Sequence, residues 1–132
     1  MATCRDVKEE KDAVVSIFYE SGTRMSTFTF TIDAKKIAIT KTGFDAYETE
    51  LETPDETWNR FLGLISKIDL TALANLSPPS SLHASDRAAY GRLVIKTGSQ
   101  TYTSPMFDDN NPPSDLKALV EEIYNTSENI GR

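Results

Sequence analysis

The chain has 132 residues, 39% hydrophobic and 26% charged, with a formal net charge of −6. That length supports one domain with a core of its own, and an acidic surface with scattered Lys and Arg repels nucleic acid and anionic membranes alike. No run approaches the roughly 18 apolar residues of a membrane span, and the single Cys4 excludes an internal disulfide.

Residues 1–12 are of mixed charge and lack an apolar h-region, so they read as a solvated leader rather than an intact signal peptide. Ala13 to Tyr19 is apolar and β-branched and ends at the turn pair Ser21-Gly22. Met25 to Ile32 alternates, with Phe28, Phe30 and Ile32 on one face and Thr27, Thr29 and Thr31 on the other. That is the pattern of an antiparallel strand with one wet face. Lys36 to Lys41 repeats it through Ile37 and Ile39, and Phe44 to Leu51 makes a fourth, less regular strand. Connections this short predict a meander.

Thr53, Pro54 and Glu56 then read as N-cap, first helical residue and capping-box acid. Trp58, Phe61, Leu62 and Ile65 recur at helical spacing and predict one apolar stripe, with Trp58 as a core anchor. Ile68 to Leu76 predicts a short helical turn, and residues 77–88 form a loop rich in Pro and Ser. Ala89–Thr97 and Thr101–Ser104 form a hairpin around Gly98-Ser99. A last helix starts near Asn111-Pro112 and runs to Tyr124, followed by a polar tail, 125–132. The expected fold is α+β over residues 13–124: four strands, helix, two strands, helix. Each helix has one apolar stripe, so both should pack on one face of an antiparallel sheet, leaving the threonine face to solvent.

Chemistry is sparse. His83 is the only histidine, and Ser80, Ser81, Ser85 and Asp86 lie near it. A triad needs a rigidly held nucleophile and an oriented base, so residues on one polar loop predict an exposed histidine rather than a catalyst. Asp108-Asp109-Asn110-Asn111 is oxygen-rich, yet it has no bend glycine and no alternating ligand spacing. It reads as a turn and helix cap. The acids from Asp45 to Glu56 fit a solvated strand face, the glycines are too isolated for a phosphate cradle, and one Cys with one His cannot close a zinc site. Asn75-Leu-Ser77 and Asn125-Thr-Ser127 match the glycosylation acceptor pattern, at about the frequency chance supplies.

Gly91-Arg-Leu-Val-Ile95, Thr101-Tyr-Thr-Ser-Pro-Met-Phe-Asp108 and Asn111-Pro-Pro-Ser-Asp-Leu-Lys-Ala-Leu119 resemble the C-terminal half of small domains from Bacteroidota-type bacteria. The front half, with Phe28 to Asp33 and the Trp58 helix, is compatible with the same group. Such domains are often exported or lipid-anchored and have no established activity. The resemblance implies a periplasmic or cell-envelope place with Cys4 as the lipidated residue; without that role for Cys4, the expected place is the cytoplasm. The combined expectation is a monomeric, non-enzymatic binding domain with no cofactor. Its partner, a protein or a small molecule, would be met on loop 77–88 and the Asp108–Asn111 turn. A pocket between sheet and helices is the other reading. The candidate contact residues are His83, Asp86, Arg87, Tyr90, Asp108, Asp109 and Asn110.

Overall fold

The structure, a computed structural model, describes residues 13–85 and 87–130; the leader with Cys4, and Asp86 of the binding loop, lie outside them. Four strands come first: β1 (Val14–Gly22), β2 (Thr27–Asp33), β3 (Lys36–Lys41) and β4 (Tyr47–Glu52). They form the expected antiparallel meander. The β2–β3 turn closes on Asp33, whose Oδ1 accepts the Lys35 and Lys36 N–H groups at 2.7 Å each. The β3–β4 turn needs left-handed backbone at Gly43 (φ 87°) and Asp45 (φ 60°). Helix α1 (Asp55–Ile65) follows, then 3-10 turns at Leu70–Asn75 and Leu82–Ser85. Strands β5 (Tyr90–Thr97), β6 (Thr101–Thr103) and β7 (Phe107–Asp108) lead through a 3-10 turn at Ser114–Leu116 into α2 (Lys117–Ile130).

All pairings are antiparallel. The spatial order is β4-β3-β2-β1-β5-β6, so β5 adds to the free side of β1 after the chain has crossed the sheet through α1. β7 was not expected. It shares the far edge of β5 with β6, which pairs at Val94–Lys96 while β7 pairs at Tyr90 and Gly91. Pro105 has no N–H to continue one ladder through both. The Ser104 hydroxyl instead accepts the Leu93 N–H at 3.0 Å and donates to the Pro105 carbonyl at 2.9 Å, bridging the break.

The inward residues of the strands, Ile17, Tyr19, Phe30, Ile32, Ile37, Ile39, Leu93 and Ile95, form one buried cluster with Phe61, Ile65, Leu119, Val120 and Ile123 of the helices. Phe30 meets Phe61 at 5.9 Å between ring centroids, and Phe28 stacks on Tyr124 at 5.2 Å. The space between sheet and helices is filled with side chains. Thr29, Thr31 and Thr40 sit on the opposite face, where they are half-buried rather than fully open to solvent as expected.

Four local expectations need correction. Trp58 is only partly buried and flanks the core; Phe61, three residues on, is the fully buried anchor of α1. Phe44 belongs to a turn and is 88% exposed. The capping box does not form: the N-cap is Pro54, with no side-chain cap bond. Thr53 instead ties its N–H to the Lys35 carbonyl at 3.0 Å, and its buried Oγ1 has no partner. Finally, α2 runs six residues past Tyr124 to Ile130, and the buried side chains of Thr126 and Ser127 hold residues expected in the tail.

Candidate functional site

Asp108 closes β7 directly opposite Tyr90 of β5, and it is fully buried. Loop 80–83 folds over it. One carboxylate oxygen, Oδ2, accepts the Leu82 N–H at 2.9 Å and the Ser80 hydroxyl. The other, Oδ1, accepts the His83 N–H at 2.7 Å and meets the ring Nδ1 at 2.8 Å. Asn111 Nδ2 donates to the Ser80 oxygen at 3.1 Å, which ties the same loop to the turn after β7. Burial by itself would raise the Asp108 pKa. The donors from Ser80, His83 and Leu82 outweigh it and hold the carboxyl well below the usual range, so the group is an anion.

An ionised carboxylate can only accept. The proton in the His83–Asp108 contact therefore sits on Nδ1, and in the neutral ring Nε2 carries the lone pair. The histidine expected to be exposed is a fixed one, its side chain 15% accessible. Its orienting partner lies 25 residues away in sequence, which is why the loop alone could not reveal it.

Asp109, the next residue, points the other way across the pleat. Its Oδ1 accepts the Tyr19 hydroxyl and, at 2.7 Å, that of Tyr124, whose oxygen is also 2.8 Å from Ser21 Oγ. Tyr19 packs on Phe107 at 6.2 Å and edge-on against Tyr124 at 5.9 Å. Burial, reinforced by the Asp109 carboxylate, pushes the Tyr19 phenol far above its ordinary range. Burial also raises Tyr124; there the Ser21 hydrogen bond works in the opposite sense and the Asp109 charge adds to the rise. This trio joins β1, the turn after β7 and α2.

A cleft of about 460 Å³ opens at this end of the sheet, between the β1–β2 turn (Gly22 to Met25) and a wall of His83, Ala88 and Tyr90. A second hollow of about 370 Å³ lies between the β7–α2 connection and α2, with Asp109, Asn110, Lys117 and Tyr124 on its walls. Of the expected contact residues, His83 and Tyr90 line the first cleft, while Asp108 is buried behind His83 and does not reach it. Asp109 and Asn110 line the second. Arg87 is exposed and donates its N–H to the Leu82 carbonyl at 3.0 Å. Asp86 is outside the described residues. Ser80, weighed in the sequence only as a neighbour of His83, instead donates to Asp108. The β1–β2 turn and the tyrosine pair went unforeseen, and the only sequence signal for the tyrosines was the need of any buried phenol for a polar partner.

Asp108 and His83 reproduce the orienting half of a nucleophile–base–acid arrangement. Among the described residues the nucleophile half is not assembled with them. Ser80 commits its proton to Asp108 rather than standing against Nε2. Among the described residues no group of three or more His, Cys, Asp and Glu side chains could hold a metal ion, and no helix is long and apolar enough to cross a membrane. No family model matches the sequence, and no curated protein is significantly similar to it.

Proposed function

We propose that this chain is a binding domain that takes its ligand in the cleft between the β1–β2 turn and the loop anchored on Asp108, and that it does so without catalysing a reaction. One observation carries the reading. A fully buried carboxylate gathers four donors from residues 80–83, so a polar loop is held rigid, and the histidine that it fixes forms the cleft wall. A loop that served only as a connection has no need of such an anchor. Small-molecule sites are concave, largely apolar and preformed, of about 300–1,000 Å³, with a few well-placed polar groups, and this cleft fits that description. The commitment of Ser80 to Asp108 supports binding rather than acyl transfer.

The resemblance to exported and lipid-anchored domains supports a place in the bacterial cell envelope, with Cys4 as the anchor residue. Fractionation of cells expressing the native chain and its Cys4→Ser variant checks that part, and an unchanged distribution removes it.

The binding reading is tested by a thermal-shift screen of the whole chain against sugars, alcohols, organic acids, amines and nucleotides. A ligand at about 100 times its dissociation constant should add ~2.7 kcal/mol, several degrees in a domain of this size. The shift should vanish in His83→Ala and survive in Asn125→Ala, a change in the second hollow. A ligand whose shift is lost only in Asn125→Ala would move the site and overturn the assignment.

A further inference from the structure

The two edges of the sheet are built differently. At one, β6 has three residues, β7 has two, and Pro105 separates them, which is how sheets ordinarily blunt an exposed ladder. At the other, β4 runs six residues without a proline, in unbroken register with β3 from Lys36–Glu52 to Lys41–Tyr47. Among the described residues no strand lies beyond it. The register tells which backbone groups are open. The Thr53 N–H bonds the Lys35 carbonyl at 3.0 Å, one step beyond the Lys36–Glu52 pair. In an antiparallel ladder every second pair exchanges hydrogen bonds. Leu51, Thr49 and Tyr47 therefore bond β3, and the N–H and C=O groups of Glu48, Glu50 and Glu52 point outward. The bond from the Thr42 N–H to the Thr27 carbonyl, 2.9 Å, gives the matching phase on the other side of β3. The side chains of the same three residues are exposed, on the sheet face that carries their partners Thr40, Ala38 and Lys36. Lys36 reaches Glu50 at 3.4 Å; among the described residues Glu48 and Glu52 have no ion pair. On the other face Tyr47 is 38% exposed and Leu51 is half-buried against the core. Acids alone on a strand are a solvated face, but these stand on residues whose backbone donors and acceptors are open as well.

We propose that β4 accepts a further strand from another protein: an extended segment with Lys or Arg at alternate positions and β-branched or apolar residues between them. Its backbone pairs with Glu48, Glu50 and Glu52. Its cations lie beside the three carboxylates, the cross-strand arrangement that favours opposite charges, and its remaining side chains run along Tyr47 and Leu51. In strand addition the main chain supplies affinity and the alternate side chains supply selectivity. A second copy of this chain does not suit the edge, because β4 laid against β4 sets glutamates against glutamates. The charge that repels such a copy is the charge that attracts a basic segment. This edge lies across the sheet from β5 and β6, and the proposal is independent of the cleft.

Three peptides with blocked ends test it on the ¹⁵N-labelled whole chain: Lys alternating with Val, the same residues with the lysines in one block, and Glu alternating with Val. The alternating lysine peptide is expected to slow amide exchange at Glu48, Glu50 and Glu52 about fivefold or more at saturation, and to leave Thr49 and Leu51, already bonded to β3, unchanged. The other two peptides should bind about tenfold more weakly or not at all. Glu50→Gln removes one charge and keeps the N–H, so it should weaken binding only about two- to fivefold. Glu50→Pro removes the same charge together with the outward N–H, and spares every bond to β3; it should abolish binding while the amide shifts of β2 and β3 stay in place. A proline variant that binds like the glutamine variant overturns the proposal, since charge attraction alone would then explain the contact. So does a block peptide that binds as well as the alternating one, and so does a failure of all three peptides to bind. Should the proline variant not fold, the exchange pattern and the block peptide decide.

Discussion

Gly91→Ala puts one methyl group where the core and the Asp109 trio meet. Gly91 is buried in β5 opposite Phe107, and a Cβ built there would collide with the Tyr19 hydroxyl and lie 2.7 Å from Phe107 Cε1. Neither neighbour can step aside freely. The Tyr19 oxygen is bonded to Asp109, and its ring is packed between Phe107 and Tyr124. Overpacking of this kind costs about 1–3 kcal/mol; taking roughly 2 kcal/mol, the melting temperature should drop by about 6–10 °C. Tyr19→Phe removes the colliding oxygen along with a hydrogen bond to a charged acceptor. Asp109 keeps Tyr124 at 2.7 Å, so that loss should be nearer 1.5 kcal/mol. The double variant should then cost about 1 kcal/mol less than the sum of its parts, because part of the alanine's penalty is contact with an atom no longer there. Urea unfolding of the four proteins measures this coupling. Additivity within about 0.5 kcal/mol would refute the argument that Gly91 is required by the Tyr19 hydroxyl.

Phe61→Ala should cost ~3–5 kcal/mol and Trp58→Ala, although it deletes the larger ring, only about 1–2 kcal/mol; the reverse order in denaturant midpoints would place the α1 anchor at the wrong residue. The Asp108 carboxyl titrates lower folded than unfolded, so its stabilisation is present in full above about pH 4 and drains away as the pH falls further. Asp108→Asn should flatten that acid limb in a series of urea midpoints, and parallel profiles would count against the anchor. Tyr19 and Tyr124 are raised, so their contribution holds below about pH 10 and is lost above it. Their phenolate absorbance should emerge only with unfolding; smooth ionisation of all five tyrosines in the ordinary range would contradict the trio. Thr53→Val removes a buried hydroxyl without a partner and should raise stability by ~1 kcal/mol; a loss of that size would mean the oxygen is satisfied after all.

Elements with sustained periodicity were legible in the sequence. The alternation of Phe28, Phe30 and Ile32 against threonines marks β2, and Ile37 and Ile39 mark β3, because a strand with one dry face must repeat every second residue. Helical spacing marks α1 and most of α2 in the same way. Period arguments need length, and β7 has two residues. They also locate a stripe better than its centre, which is how Trp58 was read as the anchor that Phe61 turns out to be. The end of α2 was lost because Thr126 and Ser127 look polar; both are buried, and the Ser127 hydroxyl bonds the Tyr124 carbonyl at 3.0 Å. His83 and Tyr90 were reachable as polar residues around a long loop. Their arrangement was not, since Asp108 meets His83 across 25 residues and Asp109 meets Tyr19 across 90.

Two adjacent acids in a turn usually share solvent. Here the pleat separates them. Phe107 of β7 and Asp109, the turn residue just after it, face the core side, where one ring packs on Tyr19 and one carboxylate accepts its hydroxyl. Asp108 falls on the other side, with its ladder partner Tyr90, and is covered by residues 80–83. A single short strand therefore fixes two things at once: the docking of α2 on β1 through Asp109, and the wall of the cleft through Asp108. The two anions differ in what they require. Asp109 is served by phenols that the core would have to bury anyway, so its cost is shared with packing that α2 needs. Asp108 draws its donors from a surface loop that no core contact demands, and burying a charge for a loop alone is expensive unless several donors satisfy it. That imbalance is why the cleft wall at His83, rather than the hollow beside Asp109, is the part of this fold whose chemistry calls for a purpose beyond stability.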